Sequence, residues 1–151
     1  MKNSASKILA LVLTLVLICT LTTVAFAATS EYVYAEYPSC YIDGTVSITR
    51  LKASASLVVE PDDDVSYSGS IRVTYTYYRY GHNGDDDYRT GYVNKTVERP
   101  RNGGTAFKEF GAGEIFSMRD ATALFSVTGE TSDDTFDFHP TRTVFFPYPT
   151  E

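Results

Sequence analysis

Apolar and polar side chains take turns along most of this chain. From Leu51 the apolar positions are Leu51, Ala53, Ala55, Leu57 and Val59, set against Lys52, Ser54, Ser56, Val58 and Glu60. A period of two sustained over this length is the signature of a half-buried β-strand, with one face on a core and the other in water. The same rhythm sets Ile71, Val73, Tyr75 and Tyr77 against Arg72, Thr74, Thr76 and Tyr78. It returns with Ala121, Ala123, Phe125 and Val127 against Thr122, Ser126 and Thr128, broken only at Leu124. Shorter or less regular alternation predicts further strands over Tyr41–Thr49, Tyr88–Glu98, Thr105–Phe110 and Arg142–Phe146, and a short edge strand over Tyr32–Ala35. The apolar parity changes between Ile48 and Leu51. An odd offset cannot stay on one face, so a bulge or tight turn is required near Thr49–Arg50.

Clusters of turn-forming residues separate these segments. Pro61-Asp62-Asp63-Asp64, the run Gly81 to Asp87, and Pro100-Arg101-Asn102-Gly103-Gly104 each end one strand before the next begins. Gly129 to Pro140 reads as a polar connection, and Gly113 to Asp120 has room for one helical turn. No window keeps helical spacing. Short strands punctuated by turns at roughly 8–15-residue intervals predict a small antiparallel β-sandwich with an immunoglobulin-like Greek key. A closed β-barrel is the alternative. The Cys–Trp–Cys core of antibody domains is absent, because the chain has no Trp.

Residues 1–27 fall outside this rhythm. Lys2 and Lys7 precede an apolar run from Ile8 to Leu21, and Ala25-Phe26-Ala27 forms a small-x-small site. This is the layout of a secretory signal cleaved before Ala28. The run is shorter than the roughly 20 residues of a membrane span. Lipid attachment at Cys19 is disfavoured by Ile18, which stands where a small residue is needed. Residues 28–151 are then a single secreted domain of 124 residues, extracellular, with formal charge −8 once Lys2 and Lys7 are removed. Such a charge favours solubility and opposes contact with nucleic acid or an anionic membrane. One Cys, Cys40, is left, so no internal disulfide forms and stability must come from apolar burial. The leader, the cleavage site and the Cys-poor mature chain point by association to a Gram-positive bacterium.

The candidate chemistry is sparse. The histidines are His82, in a Gly/Asn/Asp loop, and His139, before Pro140, and neither lies in a recognisable Ser-His-Asp arrangement. Two His and one mature Cys, far apart, do not make a zinc site. Gly111-Ala112-Gly113 lacks the Lys of a phosphate loop. A glycosidase would need two carboxyls across a cleft, and nothing singles out a pair. The expectation is therefore no enzyme, no catalytic residue and no cofactor. Weak Ca²⁺ binding at Asn83, Asp85 and Asp87 is the one metal reading, and the EF-hand pattern fails at Tyr88 and Asn94. Solvated turn residues that keep strand edges from pairing explain the acids as well.

Aromatic side chains are the distinctive feature, with 12 Tyr and 9 Phe. If the strands on either side of the Asp-rich loop form a hairpin, Tyr78, Tyr80, Tyr88 and Tyr92 share an outer face. Tyr offers flat apolar area with a polar tip, suited to a protein or a sugar. The competing reading is ordinary cross-strand pairing that stabilises the sheet. The expectation is a binding module for a protein or glycan at the cell surface or in the environment, through these four tyrosines. A secreted antagonist of the bacteriocin or toxin kind and a small hydrolase are the alternatives.

Overall fold

The computed structural model describes residues 28–62, 65–79, 87–98, 103–111, 116–130 and 135–147. They form nine strands: β1 (Thr29–Tyr37), β2 (Cys40–Ile48), β3 (Lys52–Pro61), β4 (Ser66–Arg79), β5 (Asp87–Glu98), β6 (Gly103–Glu109), β7 (Phe116–Glu130), β8 (Thr135–Phe138) and β9 (Thr141–Phe145). No helix occurs among the described residues. One sheet has the order β1-β2-β3-β6, and the second has β5-β4-β7-β8, with β9 also paired to β7. Every pairing is antiparallel. The chain crosses between sheets from β3 to β4, from β5 to β6 and from β6 to β7. Thus β3 pairs with β6 in one layer and β4 with β7 in the other, an interleaved Greek-key connection. Both sheets stay open, which rules out the closed barrel.

The parity read from the sequence is the parity of burial. Ala53, Ala55, Leu57 and Val59 on β3, Ile71 and Val73 on β4, and Ala121, Ala123, Phe125 and Val127 on β7 are buried between the sheets. Their polar alternates face out. Gly44 lets the layers approach closely. A Cβ there would lie 2.5 Å from Val33 Cγ2 and 3.1 Å from Phe125 Cε1. The parity change after Ile48 is a tight turn. Ile48 stands opposite Ala53, Thr49 N–H donates to the Lys52 carbonyl at 2.8 Å, and Lys52 N–H donates to Thr49 Oγ1 at 3.1 Å. Leu51 sits in this turn, half-buried, and not in the strand its parity implied.

Three expectations need correction. The edge strand expected over Tyr32–Ala35 runs the whole of Thr29–Tyr37, held in register by β2. The helical turn expected within Gly113–Asp120 is absent from its described part, because Phe116–Asp120 begins β7. The polar connection from Gly129 to Pro140 holds β8, whose Phe136 and Phe138 are buried. A strand of four residues gives too few alternations to stand out beside the acids that precede it.

Cys40 is buried at the start of β2 and forms no disulfide. Burial pushes its thiol above the usual range, and the Asp62 charge adds to the shift. Because the folded state holds the thiol proton more tightly, its contribution is fully present below the unfolded thiol's pKa, about 8.5. It is lost as pH rises through the folded value. An aromatic disulfide reagent at pH 8 should label native protein far more slowly than urea-unfolded protein. Equal rates would show Cys40 to be accessible.

Candidate functional site

The β4–β5 hairpin sets Tyr78 directly opposite Tyr88, and Thr74 opposite Tyr92. All are on the outer parity, since Val73 and Tyr75 between them point into the core. Tyr78 and Tyr88 pack with ring centroids 4.9 Å apart at 59°, a pairing worth roughly 0.2–1 kcal/mol. Tyr88 and Tyr92 are nonetheless 56% and 61% exposed, more than sheet packing requires. Four residues apart on one strand, they stand about 13 Å from each other. Tyr80, Asn83 and Asp85 lie outside the described residues. The structure therefore brings together Tyr78, Tyr88 and Tyr92 of the four expected tyrosines.

Each exposed ring carries a guanidinium over it. Arg72 lies 4.8 Å from the Tyr92 centroid, and Arg119 lies 4.9 Å from that of Tyr88. Contacts of this kind contribute about 0.5–1 kcal/mol at exposed sites. Arg72 reaches Tyr92 diagonally, from opposite Asn94. Arg119 reaches Tyr88 through a bulge. Thr76 pairs with Asp120 and Tyr77 with Met118, so Arg119 is the extra residue of β7 and is re-aimed outward. Neither arginine forms an ion pair among the described residues. Leu124 and Phe145, both exposed, extend the face across β7 and β9, and Thr122 and Thr143 share a hydroxyl hydrogen bond of 2.9 Å beside them. The result is a surface of aromatic rings, arginines and threonines. It can bind by apolar contact and by pairing with anions.

Other candidate groups have ordinary partners. Asp87, one of the three proposed Ca²⁺ positions, is held by Arg89 Nε at 2.9 Å. His139 Nε2 pairs with Asp137 Oδ1, both largely exposed. No group of three or more His, Cys, Asp or Glu side chains converges among the described residues. At the far end of the same sheet, Ser66, Ser68, Thr128, Thr135, Glu130 and Asp137 border a shallow hollow of ≈ 430 Å³. It is open to solvent.

The sequence reading missed a second aromatic surface. On the outer side of the four-stranded sheet, Tyr32, Tyr34, Tyr41, Val58 and Phe107 are exposed. Tyr34 and Tyr41 meet edge-on at 5.1 Å. Tyr34 donates a hydrogen bond to Glu36 Oε2 at 2.7 Å, and this bond pushes its phenol pKa above the ordinary value. The signal lies in the parity of Tyr32, Tyr34 and Glu36 against Val33 and Ala35. So short a run of alternation does not by itself announce a face, and its extent shows only once β1 is paired along the whole of β2.

No protein-family model matches the chain, and no curated protein does. Solved structures that resemble it include a Northeast Structural Genomics Consortium target, at 9% identity over 83% of this chain and 90% of that one, with a TM-score of 0.24. The putative ApaA protein from Bordetella pertussis is 7% identical over 81% of this chain and 95% of its own, with a TM-score of 0.25. A protein from Archaeoglobus fulgidus is 14% identical over 82% and 98%, with a TM-score of 0.17. Likenesses at these scores carry no inference about function.

Proposed function

We propose that this chain is a secreted, non-enzymatic binding module of immunoglobulin-like layout, and that it recognises a protein through the outer face of β4, β5 and β7. The supporting observation is the cluster of Tyr88 and Tyr92 under Arg119 and Arg72, with Tyr78 packed on Tyr88, both capped rings exposed and neither arginine ion-paired among the described residues. Tyr and Arg are the residue types that dominate protein-interface hot spots. A sugar ring stacks on bare aromatic area, and here a guanidinium already takes one face of each of the Tyr88 and Tyr92 rings. An acidic or aromatic protein surface can use ring and cation together, so a protein partner fits better than a glycan. Cleavage before Ala28 would leave β1 whole, since β1 begins at Thr29.

The test is capture by immobilised residues 28–151 from culture supernatant and cell-wall fractions. Tyr88→Ala and Tyr92→Ala should each weaken capture about tenfold, the ~1.4 kcal/mol of one hot-spot residue. Their thermal unfolding should stay close to that of the parent, since both rings are exposed. Capture unaffected by both changes would remove the face from the binding surface. Melting temperatures that fall sharply would make the tyrosines structural instead.

A further inference from the structure

The tyrosine-bearing parts of the two outer faces are complementary in charge. On the four-stranded sheet the β1–β2–β3 registers build two adjacent rows: Tyr34, Asp43, Val58 and Glu36, Tyr41, Glu60. Three carboxylates thus alternate with three exposed side chains that are aromatic or aliphatic. None of the three has a cationic partner among the described residues. Lys52, on the same face, is already engaged by Glu109 at 3.4 Å and by the Phe107 ring. On the opposite face, the half that bears Tyr78, Tyr88 and Tyr92 carries Arg72 and Arg119 against a single carboxylate, Asp120. Each face therefore presents exposed aromatic area interleaved with unneutralised charge, of opposite sign on the two sides.

We propose that the partner of the arginine–tyrosine face is a second copy of this chain, docked through its carboxylate–tyrosine face. The proposal rests on the binding-face reading above and names the occupant. Glu36, Asp43 and Glu60 of one copy pair with Arg72 and Arg119 of the next, while Tyr34, Tyr41 and Val58 cover Tyr88 and Tyr92. The two surfaces lie on opposite layers of one sandwich, so the contact is heterologous. Every added copy leaves one face of each kind free, and the assembly grows as an open head-to-tail array unless its rotation closes a ring. Interleaved charge fixes the register and rejects the like-with-like pairing of two identical faces.

Sedimentation velocity of residues 28–151, from micromolar to millimolar, tests this. The parent should shift to higher sedimentation coefficients as concentration rises. A chain with Glu36→Lys and Glu60→Lys, and one with Arg72→Glu and Arg119→Glu, should each remain monomeric, because both faces of a given chain then carry the same sign. Mixed in equal amounts, they present opposite signs again, and assembly should return. Their net charges, −4 and −12 against the parent's −8, are both negative, so non-specific attraction would not produce this rescue. Circular dichroism establishes that each is folded. If either reversal unfolds the chain, the neutral changes Glu36→Gln with Glu60→Gln, or Arg72→Gln with Arg119→Gln, should still weaken assembly about tenfold. A parent that stays monomeric throughout, a folded reversal that assembles like the parent, or a mixture that fails to assemble overturns the proposal. Should the parent be monomeric while Tyr88→Ala still abolishes capture of another protein, the self-docking fails and the binding face stands. Should assembly survive Tyr88→Ala and Tyr92→Ala, both fail.

Discussion

Phe125→Ala should cost about 3–5 kcal/mol of stability, the range for removing a fully buried aromatic ring. Phe125 is the largest of the fully buried side chains. It stands opposite Ile71 in its own sheet and reaches across the interlayer space to Gly44, whose missing side chain makes room for the ring. No neighbour can collapse into the space it would leave, because β2 is already at close approach and is held on both sides by β1 and β3. A small domain has only about 5–15 kcal/mol in total, and Cys40, the one cysteine among the described residues, is free. The variant should therefore be close to unfolding at ambient temperature. Urea titration of parent and variant measures the difference, with an unchanged slope expected. A loss below about 1.5 kcal/mol, the range of a much smaller core truncation, would mean that the layers are not packed through this ring.

The second large effect changes sign with its background. Gly129 of β7 faces Phe136 of β8 in register. The ring lies flat over the glycine, so a Cβ there would overlap it, with even Cε2 only 2.8 Å away. Phe136 in turn stacks on Tyr37 at 5.1 Å, and Tyr37 Oη donates to the Asp137 carbonyl at 3.1 Å. This one ring thus ties the short β8 to β7 and to the edge strand of the other sheet. Gly129→Ala should cost about 2–3 kcal/mol, the upper range for overpacking, because the ring must leave its seat. With Phe136→Ala already present the obstruction is gone. The same change should then be neutral or stabilise by about 0.5–1 kcal/mol, the usual advantage of Ala over Gly within a strand. The coupling of about 2 kcal/mol or more is what a double-mutant cycle reads. Amide exchange should show β8 losing protection in Gly129→Ala while β4 keeps it. Additive effects would mean that the ring does not seat on the glycine.

The candidate face is partly legible in the sequence. Alternation places Tyr78 opposite in sense to Tyr75 and Tyr77, and the turn residues after Arg79 imply the hairpin that brings Tyr88 and Tyr92 alongside. Nothing in the local pattern announces Arg119. Its outward aim comes from the bulge at Thr76/Tyr77, which depends on how β7 meets β4 more than forty residues earlier in the chain. Arg72 is plainly on the outer parity, but its seat over Tyr92 needs the β4–β5 register.

The strands other than β8, the inward and outward sets on β3, β4 and β7 from Ala121 on, and the turn after Ile48 were determined by the sequence itself. Each depends on side-chain direction, which alternates residue by residue and is read within a few positions. Which strands are neighbours, where β8 attaches, and that the tyrosines of the two layers sit among charges of opposite sign were decided by the tertiary structure. Those outcomes rest on pairings between distant segments. Register across a sheet is set by the packing of whole faces, and no local window of sequence contains it.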